Sequence, residues 1–316
     1  MVRYGFQHTR KRYEILLFYQ IFSYIYVIRP LNRMETPAYS IKHLRVIRIN
    51  EGEALDFIDD IAVEEPLEIR VSYGMNEKKS ISVTMRTPGN DAELAAGFLF
   101  TEGIIWQREH ISAVSHSDSD CSRNAENEIT VELAEDFTPQ LMNAERNFYT
   151  TSSCGVCGKG SIQSIRTVSL FQHRERKALS ADATWLCRLP QVLRSAQNNF
   201  STTGGIHASG IFDLNGELLA LREDVGRHNA LDKLIGYALL EGWLPLDDKI
   251  LVLSGRASFE LIQKAAMAGI TFVAAIGAPS SLAVDLAREF DMSLIGFLKE
   301  SRFNIYHQGE RHRIEF

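Results

Sequence analysis

KILVLSGRASFELIQKAAMAGITFVAAIGAPSSLAVDLAREFDMSLIGFL, residues 249–298, alternates three short apolar runs with two helical ones. KILVLSG (249–255), ITFVAAIG (270–277) and MSLIGFL (292–298) are continuous apolar stretches of strand length, the pattern of strands buried on both faces. Between them, SFELIQKAAMAG (258–269) and SSLAVDLAREF (280–290) carry helical spacing, and Gly269 stands where helices commonly end. The order β-α-β-α-β predicts a parallel sheet with crossover helices, an α/β fold. Ligands of such sheets bind beyond the carboxyl ends of the strands. Those ends carry Ser254-Gly255-Arg256, then Gly277-Ala278-Pro279-Ser280-Ser281, then Lys299-Glu300-Ser301-Arg302. Arg256, Lys299 and Arg302, the hydroxyls of Ser280 and Ser281, and two helix N-termini are therefore expected on one rim. Free N–H groups and positive dipole ends suit such a rim to a phosphorylated ligand. Helix capping alone would also place serines and glycines there.

Toward the N-terminus, GIHASGIFD (205–213) and GELLALRED (216–224) predict a hairpin through Asn215-Gly216. HNALDKLIGYALLEG (228–242) follows, with Leu231, Leu234, Ile235, Ala238 and Leu239 at helical spacing. REDVGRHNALDK (222–233) is dense in charge, which usually marks a solvated helix start. Its place between strand and helix also offers a ligand role. Asp224 could accept both N–H groups of a guanine edge, Arg227 could reach phosphate, and His228 lies beside them. STTGGIH (201–207) lets backbone approach a ligand through its Gly-Gly pair, unless hairpin geometry alone demands the glycines.

The first third reads as a small α+β unit. PLEIRVSY (66–73) and SISVTMRT (80–87) predict strands, and TPGND (87–91) predicts a turn ending on Asp91 as a helix N-cap. AELAAGFLFTEG then predicts a helix with Leu94, Gly97 and Phe98 on one face. ISAVSHS (111–117) and NEITVEL (127–133) predict a further strand pair, and FTPQLMNAERNFYT (137–150) a helix. The expected organisation is an extension at 1–43, a small α+β unit at 44–148 and an α/β domain at 149–316. Residues 1–33 are basic and enclose EILLFYQIFSYIYVI (14–28), which is short for a membrane span and interrupted by Gln20 and Ser23. No small-residue cleavage site follows it, so a non-domain extension is expected, with Met34 a plausible start.

Composition narrows the classes. The 316 residues are 45% hydrophobic and 23% charged, as in globular proteins, and the net charge of −6 argues against general nucleic-acid binding. Four cysteines in such a chain make no disulfide framework, which favours a reduced, cytoplasmic protein. Two of them nevertheless stand in TTSSCGVCGKGS (150–161), as Cys154 and Cys157, while Cys121 and Cys187 stand alone. A structural zinc site needs four ligands and no second C-x-x-C exists; His207 or His228 could complete one only through the fold. The zinc-deaminase order of H-x-E before P-C-x-x-C is absent, since His173-Arg174-Glu175 follows the cysteines. A thioredoxin-type disulfide wants a helix starting at the first cysteine, and Gly155, Gly158 and Gly160 oppose one, each by about 1 kcal/mol. The third option is a loop that presents a sulfur atom to two partners in turn. Lys159 and loop N–H groups could lower the thiol pKa, and the thiolate could take sulfane sulfur by exchange chemistry.

TTSSCGVCGKGS, TTGGIHASG, REDVGRHNALDKLIG, LSGRASFELIQKAAMAGI and GAPSSLAV, with MRTPGNDAELAAGFLFTEGII earlier, together resemble the FdhD family, accessory sulfurtransferases of formate dehydrogenase maturation. The resemblance runs in order over about residues 44 to 316. It implies a persulfide taken from a cysteine desulfurase and passed to the molybdenum cofactor, in its bis(molybdopterin guanine dinucleotide) form, for formate dehydrogenase. It places the persulfide on Cys154, an assisting thiol on Cys157, and cofactor contacts on Phe297, Leu298, Lys299, Glu300, Ser301 and Arg302. It further implies a larger domain resembling the cytidine deaminase fold without its zinc set, no permanent metal, no membrane association and a homodimer. The extension at 1–33 has no counterpart in the family pattern. Two rivals of other classes are a non-catalytic chaperone of the cofactor and a zinc-dependent deaminase-like enzyme.

Overall fold

The computed structural model describes residues 40–74, 77–117, 125–139, 141, 171, 174, 175 and 177–316. The predicted β-α-β-α-β run forms as expected. Strands β10 (Ile250–Leu253), β11 (Phe272–Ala275) and β12 (Ser293–Lys299) are parallel neighbours. Their side chains sort by parity, as a strand covered on both faces requires. Ile250, Val252, Phe272, Ala274 and Ile295 enter one core, while Leu251, Leu253, Val273, Ala275 and Leu294 enter the other. Helices α6 (Phe259–Met267) and α7 (Ser281–Glu289) cross over on the second face.

Antiparallel hairpins flank this parallel trio. β8 (His207–Phe212) pairs with β10 and with β9 (Leu218–Asp224), and β13 (Arg302–His307) pairs back on β12. The sheet order is β13-β12-β11-β10-β8-β9. Helix α5 (Arg227–Leu240) returns from β9 over the same face as α6. Its expected apolar stripe, Leu231 to Leu239, is fully buried. The opposite face is covered by helices α2 (Ala183–Leu186) and α3 (Leu189–Ala196) and by β7 (Leu179–Asp182) with β14 (His312–Glu315), elements the sequence pattern did not single out. A short helix α4 (Asn198–Thr203) follows α3.

The small α+β portion is a second sheet, β4-β3-β6-β5, built from Glu77–Arg86, Glu65–Tyr73, Glu128–Leu133 and Ile111–His116. Helix α1 (Asp91–Thr101) carries it onto the larger sheet by crossing α5 at two glycines. A Cβ on Gly97 would lie 1.9 Å from the Asp232 carbonyl oxygen, and one on Gly236 would lie 1.8 Å from that of Glu93. Only glycine permits this approach. The core accordingly runs without a break from Leu67, Ile69 and Val71 through α1 and α5 to α6 and α7.

Two expectations need correction here. Asp91 is not the N-cap of α1; left-handed Asn90 holds that position, and Asp91 instead takes a bidentate bond from the buried Arg86 guanidinium at 3.1 and 3.0 Å. The Asp91 carboxylate thus balances a cation rather than capping backbone. The strand pattern also begins before residue 44. β1 (Ile41–Asn50) and β2 (Glu53–Ala62) form an antiparallel two-stranded arm joined at Glu51-Gly52. The helix expected at 137–150 and the loop at 117–127 lie largely outside the described residues. No helix among the described residues is long and apolar enough to cross a membrane.

Candidate functional site

Strand direction decides which loops meet. β8 runs antiparallel to β10, so the start of β8 lies beside the end of β10; β9 in turn ends beside the start of β8. Five stretches separated in sequence therefore reach one edge of the six-stranded sheet. They are the Gly-Gly turn into His207, the Asp224–His228 turn, the Ser254–Ser258 loop, the Gly277–Ser281 loop and the β12–β13 hairpin. Backbone bonds knit the last three together. Gly277 N–H donates to Gly255 O at 2.9 Å, Ser280 N–H to Ala257 O at 3.0 Å, and Phe297 N–H to Gly277 O at 3.0 Å.

Two helix N-termini open onto this rim. Neither Gly226, the N-cap of α5, nor Ser258, the N-cap of α6, gives a side-chain bond to the first turn. Ser258 Oγ meets His228 Nε2 at 3.3 Å instead, and the same nitrogen lies 2.9 Å from Glu260 Oε2. His228 therefore ties the start of α5 to the start of α6. Arg227 is half-buried with its Nε lacking any partner. An orphaned N–H beside open helix N-termini is the donor set that an anionic group completes. His207 sits half-buried under Gly255, and burial first, then the Arg227 charge, holds its pKa below the ordinary imidazole value. Arg256, Lys299 and Arg302 are exposed at the same edge. Ser280 and Ser281 stand at the start of α7, where Ser280 Oγ accepts from Ala283 N–H at 3.2 Å. Ser280 thus does the capping work foreseen as its plainer role.

Lys299 to Arg302 do not lead into a helix. They form the tip of a tight hairpin in which Lys299 pairs with Arg302, and all four side chains are exposed. Just before it the register slips between Gly296 and Lys299, and Phe297 is driven to φ 52° with its ring outward. A non-glycine residue in that region costs about 1 kcal/mol or more, a strain often kept where a side chain must be presented.

Leu298 and Asp224 are corrections to the expected contact set. Leu298 points into the core and is fully buried, so its side chain cannot meet a ligand. Asp224 is also fully buried. Its carboxylate pairs with Lys233 Nζ at 2.7 Å and accepts from the N–H groups of Thr87 and Gly226 and from Asn229 Nδ2. No acceptor capacity faces outward for a guanine edge. The charged stretch 222–233 is not solvated either. Arg222 bonds Glu93 of α1 and stacks on Tyr237, while Asp232 bonds Lys264 of α6 at 2.9 Å. Burial lowers the Lys264 pKa, but Asp232 and Glu102 outweigh it and keep the ammonium charged. Sequence periodicity could not show this, because each partner is remote in the chain. Ser258 and Glu260 were missed as rim residues for the same reason, while His207, offered by the sequence only as a candidate zinc ligand and as the end of the Gly-Gly stretch, takes its place beside them.

Gly204 proves to be the left-handed end of α4, which explains half of the Gly-Gly pair without a ligand. Among the described residues no three His, Cys, Asp or Glu side chains gather as a metal would require. Cys154, Cys157 and Lys159 lie outside the described residues.

The sequence profile of the FdhD/NarQ family matches residues 62–313. The chain belongs to that family. Among FdhD/NarQ relatives, it is 49% identical over 270 residues to the sulfur carrier protein FdhD of Mycolicibacterium paratuberculosis, covering 84% of this chain and 97% of the relative. It is 46% identical to the protein of that name from Streptomyces avermitilis, covering 85% and 94% of the two chains. It is 43% identical over 255 residues to the sulfur carrier protein FdhD of Picrophilus torridus, covering 80% of this chain and 92% of the relative. A crystal structure described as a candidate formate dehydrogenase accessory protein from Desulfotalea psychrophila shares the fold, with TM-score 0.64 at 22% identity, covering 86% and 99%.

Proposed function

We propose that this chain is a cytoplasmic sulfur carrier that moves sulfane sulfur from a cysteine desulfurase to the molybdenum cofactor destined for formate dehydrogenase. The observation that carries this reading is 49% identity over most of the chain to a protein named as a sulfur carrier. Cys154 is the carrier thiol and Cys157 assists it. The Cys154 thiolate attacks the terminal sulfur of the donor's persulfide. A new S–S bond forms on Cys154, the donor's S–S bond breaks, and the donor cysteine leaves as a thiolate, with no net oxidation. The cofactor, bis(molybdopterin guanine dinucleotide), is substrate rather than resident group.

The rim supports the second half of the reading. Arg227, Arg256, Lys299 and Arg302 with the open starts of α5 and α6 would take pyrophosphate, and the Phe297 ring offers a stacking face for a planar heterocycle. The working assembly is a homodimer.

Intact mass after incubation with desulfurase and cysteine tests the carrier role. A reducible gain of about 32 Da, one sulfur atom, is expected on the wild type and not on Cys154→Ala. Formate dehydrogenase activity should be lost with the same substitution. A variant that restores full activity without gaining sulfur would make the protein a cofactor chaperone, and stoichiometric zinc on the purified protein would favour a deaminase-like enzyme.

A further inference from the structure

The β1–β2 arm projects two ten-residue strands that pair in full register with each other and, among the described residues, with no other strand. It touches the body near its base, where β2 meets α4 and Ser40 Oγ donates to Asn199 Oδ1 at 3.1 Å. Two-stranded ribbons are marginal in water unless something covers a face. Here one face carries Ile47, Ile49 and Ile58 at 70, 65 and 64% exposure, brought to the same side by the pairs Ile49–Ala54, Ile47–Asp56 and Arg45–Ile58. Such a cluster marks a contact surface.

Charge is divided between the strands. On the isoleucine face β1 presents His43 and Arg45 and β2 presents Asp56 and Asp60, while Lys42, Arg48, Glu53 and Asp59 fall on the opposite face by register. Within the arm His43 pairs with Asp60 and Arg48 with Asp59, whereas Arg45 and Asp56 form no ion pair among the described residues. A surface cationic on one side and anionic on the other is self-complementary, as a two-fold interface between identical chains must be. Its orientation follows. A two-fold axis along the ribbon lays β1 of one copy over β2 of the other, cation on anion. An axis across the strands would lay β1 on β1, cation on cation, and is disfavoured.

We infer that the β1–β2 arm clasps the arm of a second copy of this chain, isoleucine face to isoleucine face, with Arg45 seated between Asp56 and Asp60 of the other copy. This rests on the homodimer proposed above and adds the surface that forms it.

Sedimentation of the full chain over a concentration series tests it. Wild type is expected to dimerise. Ile47→Lys with Ile58→Lys should sediment as a monomer with wild-type circular dichroism, the loss of the partner showing only as a concentration-independent and somewhat lower melting temperature. Charge exchange gives a sharper reading. Arg45→Asp alone and Asp56→Lys with Asp60→Lys alone should each be monomeric, because both place like charges across the interface. An equimolar mixture of the two should dimerise, since both contacts then match again. A dimer that survives the isoleucine changes, or a mixture that stays monomeric, overturns the arm as the interface. A monomeric wild type whose arm variants lose binding to cysteine desulfurase overturns it too and gives the arm to that protein. Sulfur loading of Cys154 measured on the same variants is expected at wild-type level. That readout tests the carrier reading separately, because it fails with Cys154 and not with the arm.

Discussion

At the scale of single residues, neighbours on the rim differ in whether their polar groups are already satisfied. Asp224 and Arg227 stand three positions apart, yet one is fully enclosed and the other keeps an orphaned donor. Asp224→Asn leaves the Lys233 ammonium buried without its counter-charge and should cost about 3–5 kcal/mol in urea unfolding. Arg227→Gln should leave unfolding unchanged and weaken guanosine diphosphate binding about tenfold or more by calorimetry. His207 adds a pH dependence. An imidazole in the unfolded chain titrates near 6.5, and burial, then Arg227, hold the folded value below that. Between the two values the unfolded state binds the extra proton, so stability falls as pH drops through this window. Thermal melts from pH 7 downward should show that loss, and His207→Gln should flatten it.

At the scale of elements, the crossing of α1 and α5 is the tightest joint in the chain. Gly97→Ala and Gly236→Ala would each force a methyl group onto a backbone carbonyl within 2 Å, where no rotamer can yield. Each should destabilise by about 3 kcal/mol or more, read as a lowered urea midpoint. The pairs Arg222–Glu93 and Lys264–Asp232 bracket the same joint, so the charged stretch from the end of β9 into α5 is an internal brace. At the other end of the sheet the β12–β13 hairpin shows a different economy. A register slip turns Phe297 outward while Leu298 stays in the core, so adjacent residues of one expected binding segment have opposite roles.

At the scale of the molecule, both sheets share one hydrophobic core through α1, α5, α6 and α7. A shared core should unfold as a unit. Far-ultraviolet circular dichroism and the fluorescence of Trp106, beside the smaller sheet, and Trp185, beside the larger, should then give coincident urea transitions. Separate transitions would mean that the α1–α5 joint opens first. The same architecture brings five loops to one rim, because the antiparallel placement of β8 and β9 turns the Gly-Gly and Asp224–His228 turns toward the ends of β10 to β12.

The order of the parallel strands and their helices was legible in the sequence, since each depends on residues near one another in the chain. Apolar runs at 250–253 and 272–275 and helical spacing at 259–267 report the local burial they will have. The C-x-x-C pair and the family motifs were legible for the same reason: they are chemistry written in short spacing. Partnership was not. That Asp224 would be filled by Lys233 and Thr87, that Leu298 would turn inward beside an outward Phe297, and that Gly97 would meet Gly236 depend on segments up to about 140 residues apart. Such contacts leave no local period, because burial by a remote element selects for fit to that element and not for any regular spacing. Only the folded chain decides which charges face each other and which are left to meet a ligand.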